Sequence, residues 1–410
     1  MQKKKHILVL SQYFHPEPFR INDMCMEWVK RGYKVTVLTG IPNYPQGKFY
    51  EGYGYTKRRK EIWNGIEIIR IPLIPRGNNA IGMICNYLSF VISGFFWKIF
   101  TSVKADYVFM FEVSPMTQAL VGVWYAKKHK VPCYLYVQDL WPENVEIVTG
   151  IHSKLILGPI GKMVDYIYRN CDRIFATSES FVKEIVKRGV PEKKVEFWPQ
   201  YAEEFYKPYP KKEKLENEKF IITFTGNIGY AQGLSILPEV AEILKEKSCN
   251  VLFKIVGDGR YKEEFVYEIE KRNVLEMFEL VGRKPAEEIP NILAESDAAF
   301  LSFMDNPLFS KTIPAKLQSY MACGMPIIAS ATGETKSIIE DATCGICCPI
   351  GDSEALAIGI NELMQEEKRI IAEMGDNARK YFEEHFAKQR LMDWIERYFS
   401  IGVGNEEINF

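Results

Sequence analysis

The sequence has no excess of charge of either sign. Its 52 lysines and arginines face 53 aspartates and glutamates, for a formal net charge of -1. Nucleic-acid binding as the main role is therefore unsupported, because it needs a basic surface to displace counterions. Cysteine spacing of the zinc or disulfide type is also missing. The nine cysteines are scattered, and Cys344-Gly-Ile-Cys347 has no second pair or histidine cluster at zinc spacing. Free thiols in a reducing compartment are the expectation. The first apolar run, residues 7–10, stops at Ser11-Gln12, which is too short for a secretory leader. It predicts a buried strand in a chain that is not secreted. Nothing repeats at a fixed period.

Two nucleotide signatures are missing as well. After the first strand, Ser11-Gln-Tyr-Phe-His-Pro-Glu-Pro18 stands where a dinucleotide fold would carry G-x-G-x-x-G, and there is no P-loop. Both absences weaken dehydrogenase and ATPase readings.

What is present is ordinary globular material: 410 residues, 47% hydrophobic and 26% charged. That length favours two domains, each with its own core. Apolar runs at 7–10, 34–39, 66–71, 107–111, 133–137, 174–177 and 195–197 alternate with helical spacing at 21–31, 160–170 and 179–188. Strand, helix, strand with short connections is the unit of a parallel sheet. Residues 202–219 turn polar and proline-bearing and read as a linker. A second series follows, with strands at 220–225, 251–256, 278–281, 298–302 and 326–330 and a helix at 234–246. The expected architecture is α/β with two doubly wound parallel-sheet domains: 1–201, a linker at 202–219, 220–385, and a closing helix and tail at 386–410. The last helix, about 376–400, is expected to cross back to the first domain.

Ligands of open parallel sheets bind at the carboxyl ends of strands. Gly226-Asn-Ile-Gly229, Gly257-Asp-Gly259 and Gly282-Arg283 each follow a predicted strand of the second half. Any one of them alone is better explained by a tight turn. Together they favour a phosphate-bearing ligand over turns alone.

On these residues the sequence resembles glycosyltransferase family 4, with the fold called GT-B. Gly32-Tyr-Lys-Val-Thr-Val-Leu-Thr39 looks like the family's G-H-x-V-x-V-L-T start. Thr225-Gly-Asn-Ile-Gly-Tyr-Ala-Gln-Gly-Leu234 sits where the family has its G-R-L…K-G loop. Val256-Gly-Asp-Gly259 is similar to its V-G-D-G turn, and Tyr320-Met-Ala-Cys-Gly-Met-Pro-Ile327 to its A-M-A-C-G-x-P-V segment. With Gln138-Asp-Leu-Trp-Pro-Glu143, the match narrows to the branch that includes the L-fucosamine transferases of O-antigen and capsule assembly.

The resemblance implies two facing Rossmann-like domains and retention of configuration. It implies a UDP-linked, N-acetylated hexosamine or deoxyhexosamine as donor and a sugar on undecaprenyl diphosphate as acceptor. No cofactor is expected beyond the donor substrate. With no D-x-D motif in a telling place, metal independence is expected. The implied donor site comprises Gly226, Asn227, Gln232, Gly233, Gly257, Asp258, Gly282, Arg283, Lys311, Ala315 and Ser319.

The sequence departs from the family where diphosphate-gripping Arg and Lys become Asn227 and Gln232. It departs again where two glutamates become Lys311 and Ser319, and where a first-domain His becomes Gln138. Lys311, Lys316 and Arg283 are then the residues to supply positive charge to a departing diphosphate.

Asp139 and Glu143 follow the strand at 133–137. Each either orients the acceptor or its proton, or belongs to a helix cap. With Lys316 they are the catalytic candidates, while His15, Glu112 and Gln138 are acceptor-side candidates. Residues 80–97 carry no charged side chain, with Arg76 before and Lys98 and Lys104 after. A core helix and a helix lying in an anionic membrane surface are both open, and a spanning helix would split the sheet. Lys57-Arg-Arg-Lys60 either helps such attachment or is a solvated turn. The expected location is the cytoplasmic face of the plasma membrane. Two rival functions are a UDP-N-acetylglucosamine 2-epimerase and a non-catalytic sugar-nucleotide-binding scaffold.

Overall fold

The computed structural model describes residues 5–77, 79–210 and 218–400. Part of the expected linker (211–217) and the tail (401–410) lie outside the described residues. The chain divides into two compact units. One runs to Thr177 and includes Phe181–Phe197; the other comprises Ser178–Ser180 and Trp198–Ser400.

The first unit is built on one sheet. Its strands are β1 (His6–Leu10), β2 (Lys34–Gly40), β3 (Lys60–Trp63), β4 (Ile66–Ile71), β5 (Tyr107–Glu112), β6 (Cys133–Val137), β7 (Arg173–Ala176) and β8 (Val195–Phe197). They run in the order β3-β4-β2-β1-β5-β6-β7-β8. Only β3 is antiparallel, on β4 at the edge. Parallel strands covered on both faces need continuous apolar runs, and β1 and β6 are buried at every residue. The covering helices are amphipathic: Arg20–Lys30 buries Ile21, Met24, Cys25 and Trp28, one face of a 3.6-residue period.

The second unit holds β9 (Phe220–Asn227), β10 (Val251–Asp258), β11 (Phe278–Gly282), β12 (Ala298–Ser302), β13 (Ile327–Ser330) and β14 (Gly345–Cys348). All are parallel, in the order β11-β10-β9-β12-β13-β14. The helix expected at 234–246 starts later, at Leu237, because Gly233 adopts φ 60° and a single 3-10 turn comes first. The stretch 376–400 is not one helix. Lys368–His385 ends at Phe386, whose buried ring fixes the corner, and Lys388–Ser400 follows. This closing helix groups with the second unit, where Trp198 Nε1 donates to Leu391 O at 3.0 Å.

Candidate functional site

In the second unit the strand order reverses at β9, with β10 and β11 on one side and β12 on the other. The crevice at the carboxyl ends beside such a reversal is where open α/β sheets receive ligands. The three predicted glycine-bearing strand ends meet along this edge. Gly257 is in register with Gly226, and Gly282 with Val256 one position away. Glycine is required there: a Cβ on Gly257 would fall 1.8 Å from the Gly226 carbonyl oxygen. Gly226, at φ 124°, leaves room for a side chain to pass over it, and a Cβ would meet Lys316 Cε at 2.7 Å.

Lys316 is therefore the centre of the edge. It is the second residue of the helix Ala315–Ala322, which follows Pro314 and has no side-chain cap. Its aliphatic stem crosses Gly226. Its ammonium sits 3.9 Å from the centre of the Phe224 ring and donates to Gln232 Oε1. Burial pushes its pKa down to about 7. An ammonium in the first helical turn also opposes the helix dipole, and an anion would relieve both penalties. The first amides of the helix have no acceptor four residues back.

The loop at 226–233 contributes differently from expectation. The amides of Ile228, Gln232 and Gly233 donate to Asp258 O, Gly229 O and Tyr230 O, so they hold the loop's own shape. Ser302 Oγ, at the end of β12, donates to Gln232 O at 2.6 Å and fixes the loop across the crevice. The exposed Asn227 side chain leans over Gly229 and Gly259. Asp258 accepts the Gly259 amide and lies 3.7 Å from Lys262, so it serves its own turn. Arg283 is exposed just beyond β11. Lys311 ends the short turn Phe309–Lys311, and the Ser319 hydroxyl donates back to Ala315 O. Phe224, which the sequence did not single out, supplies the aromatic floor under Lys316.

The first unit reverses strand order at β1, between β2 and β5. Gln12, just past β1, is locked by Gln118 Oε1 on its amide and by its own donation to Asn86 Oδ1. Asp139 does not cap the helix Glu143–Thr149, whose cap position is Pro142. Its Oδ2 instead accepts the Ser114 amide at 2.7 Å, and Ser114 Oγ in turn accepts from Trp141 and Asn144. Glu143 opens that helix, and Gln138 lies just past β6.

Glu112, expected on the acceptor side, is wholly buried at the end of β5. Neither of its carboxylate oxygens completes a hydrogen bond, although the amides of Asp139 and Gln138 favour the charged form. Burial dominates and pushes its pKa well above the ordinary carboxylate value, with the Asp139 charge adding to the shift. His15 stacks on Trp63 at 4.1 Å, and burial there lowers its pKa.

Two family sequence models match this chain, "Glycosyltransferase Family 4" over residues 20–200 and "Glycosyl transferases group 1" over residues 206–381. The chain belongs to glycosyltransferase family 4. This transferase is 24% identical over 415 residues to WcaI of Escherichia coli, a protein named for colanic acid biosynthesis, covering 94% of this chain and 97% of that one. Among solved structures, a sucrose-phosphate synthase from Thermosynechococcus elongatus superposes with a TM-score of 0.71 at 14% identity, over 97% and 98% of the two chains. Anabaena HepE in complex with UDP and glucose superposes with a TM-score of 0.68 at 15% identity, over 97% and 99%. These likenesses establish the fold as that of the GT-B glycosyltransferases.

Proposed function

We propose that this transferase moves an N-acetylated hexosamine or deoxyhexosamine from a UDP-sugar to a sugar carried on undecaprenyl diphosphate. The step belongs to bacterial surface polysaccharide assembly, on the cytoplasmic face of the plasma membrane. The single observation that carries the reading is Lys316. It is a poorly hydrated ammonium laid over a glycine at a strand-order reversal, beside an uncapped helix N-terminus. That arrangement suits the diphosphate of a nucleotide sugar. The complex of HepE with UDP and glucose on the same fold, and the colanic acid name of WcaI, support the donor class and the setting.

In the proposed reaction the anomeric carbon–oxygen bond to UDP breaks, and the charge that develops on the departing phosphate is met by Lys316 and the amides at Ala315 and Lys316. Arg283 and Lys311 add charge at the rim, and the Gly226, Asn227, Gln232, Gly233, Gly257, Asp258 and Gly282 edge shapes the nucleotide pocket. The acceptor hydroxyl forms the new bond on the same face, and its proton passes to the departing phosphate, so configuration is retained. Asp139 and Glu143, with His15 and Gln138, orient the acceptor.

A calorimetric screen of UDP, GDP and their sugars tests the nucleotide class, followed by transfer to lipid-linked sugars. Selective UDP binding with product formation is the expected result. UDP binding without transfer to any acceptor leaves the scaffold reading. Conversion of UDP-N-acetylglucosamine alone to its 2-epimer replaces transfer with epimerisation.

A further inference from the structure

The charge-free stretch 80–97 of the first unit lies in a 21-residue helix, Ala80–Phe100, of mean hydropathy 1.6, and only 22% of its most apolar window is buried. It has two apolar sides. The inner side carries the buried Asn86, Phe90 and Gly94, four residues apart. Asn86 takes a hydrogen bond from Gln12 and gives one to Ile74 O, while Gly94 lets the helix close on Val121, where a Cβ would come within 2.4 Å. These bonds tie the helix to the end of β1 and exclude a spanning helix.

The outer side carries Ile81, Ile84, Leu88, Ile92, Phe95 and Ile99, spaced three and four residues apart and so aligned in one stripe. Every one of them is exposed, Ile81 at 73% and Ile92 at 58%. The stripe is about 27 Å long at 1.5 Å per residue, far more contiguous apolar surface than single scattered residues would give.

The surroundings say what covers it. Lys98 lies over the Phe95 ring at 4.4 Å and Lys104 follows the helix. The helix Ala119–His129 packs alongside, with Phe95 edge-on to Trp124 at 5.7 Å, and it ends in Lys127 and Lys128. Between Glu67 and Asp106, and between Glu112 and Asp139, there is no acidic residue at all. Next to the last turn, a groove of about 450 Å³ is lined by Phe96, Trp97 and Phe100 of the helix and by Arg59, Lys60 and Arg70, three cations against the single carboxylate of Glu67. A second copy of this chain would set one cationic collar against another. An anionic bilayer offers apolar depth to the stripe and phosphates to the collar.

We propose that the outer face of the helix Ala80–Phe100 lies in the headgroup region of an anionic membrane, with Lys98, Lys104 and the Arg59–Lys60 groove holding lipid phosphates. The proposal rests on the lipid-linked acceptor reading and adds to it the face that meets the lipid.

The test is co-sedimentation of the full chain with vesicles of phosphatidylcholine alone or with about a third phosphatidylglycerol, at low and high salt. Wild type is expected to pellet with the anionic vesicles at least tenfold better than with the neutral ones, and less at high salt. Ile84→Ser/Leu88→Ser/Ile92→Ser, at exposed positions, is expected to lose most of that binding, and Lys98→Gln/Lys104→Gln to lose its dependence on anionic lipid. Both variants are checked for unchanged circular dichroism and UDP binding. Failure of the folded, UDP-binding wild type to pellet overturns the proposal, as does undiminished pelleting of the triple variant. So does a wild-type dimer that the triple variant abolishes. Transfer to a soluble sugar acceptor, assayed separately, reports on the enzymatic reading, so the two can fail independently.

Discussion

Lys316 gathers its properties from three neighbours that no local spacing predicts. Gly226 gives it a path, Phe224 a floor and Gln232 an acceptor. With a pKa brought down to about 7 by burial, it is half neutral near neutral pH in the free protein. A bound diphosphate favours the ammonium and raises that pKa. The sign follows: between the free and bound values, the complex holds more protons than the free protein. UDP binding is therefore expected to take up a proton above about pH 7, and affinity to fall by up to about tenfold per pH unit there. Calorimetry in two buffers of different ionisation enthalpy measures the uptake directly. Equal binding enthalpies in both buffers at pH 8 would remove Lys316 from the diphosphate. Lys316→Met keeps the stem and loses the charge; its cost is about 2 kcal/mol, roughly thirtyfold in UDP affinity.

At the scale of the element, the proposed donor edge depends on β9 and β10 passing close together. Gly257→Ala places a methyl 1.8 Å from the Gly226 carbonyl and forces the strand ends apart, whereas the same change at Gly282 meets nothing within 4 Å. The first is expected to cost about 2 to 4 kcal/mol and to abolish UDP binding. The second is expected to cost about 1 kcal/mol of backbone strain and leave binding in place. Denaturant melts and UDP titrations of the two variants separate these outcomes, and equal effects would count against the close approach.

The same scale shows why some elements were legible in the sequence and others were not. Strands such as β1, β6 and β12 are short, continuous apolar runs, and burial on both faces makes them so. Strand β3 escaped because it is an antiparallel edge with Lys60 and Glu61 in it and Ile62 80% exposed. Strand β14 escaped because Gly345–Cys348 is only half buried and its cysteines suggested chemistry rather than pairing. The glycines of the site were readable because each ends a strand. The partnership of Lys316 with Gln232 was not, since 84 residues separate them and only the order of β9 and β12 brings them together. Nor could spacing reveal that Asp139 braces Ser114, or that Glu112 is wholly buried.

Across the whole molecule, the proposed division of labour between the units can be tested without separating them. Every residue assigned to the nucleotide, from Gly226 to Ser319, lies within the unit that holds Trp198–Ser400. A ligand that binds only the folded form stabilises what it touches, by about 2.7 kcal/mol at a hundred times its dissociation constant. Hydrogen exchange on the full chain with saturating UDP is therefore expected to slow at 226–233 and along Ala315–Ala322, where the edge and the helix N-terminus converge. Amides of β1, β5 and β6 should exchange at unchanged rates, because opening of the first unit does not involve the nucleotide. Protection confined to those first-unit strands, with none at 226–233, would move the donor pocket to the other sheet and leave Lys316 without its assigned role.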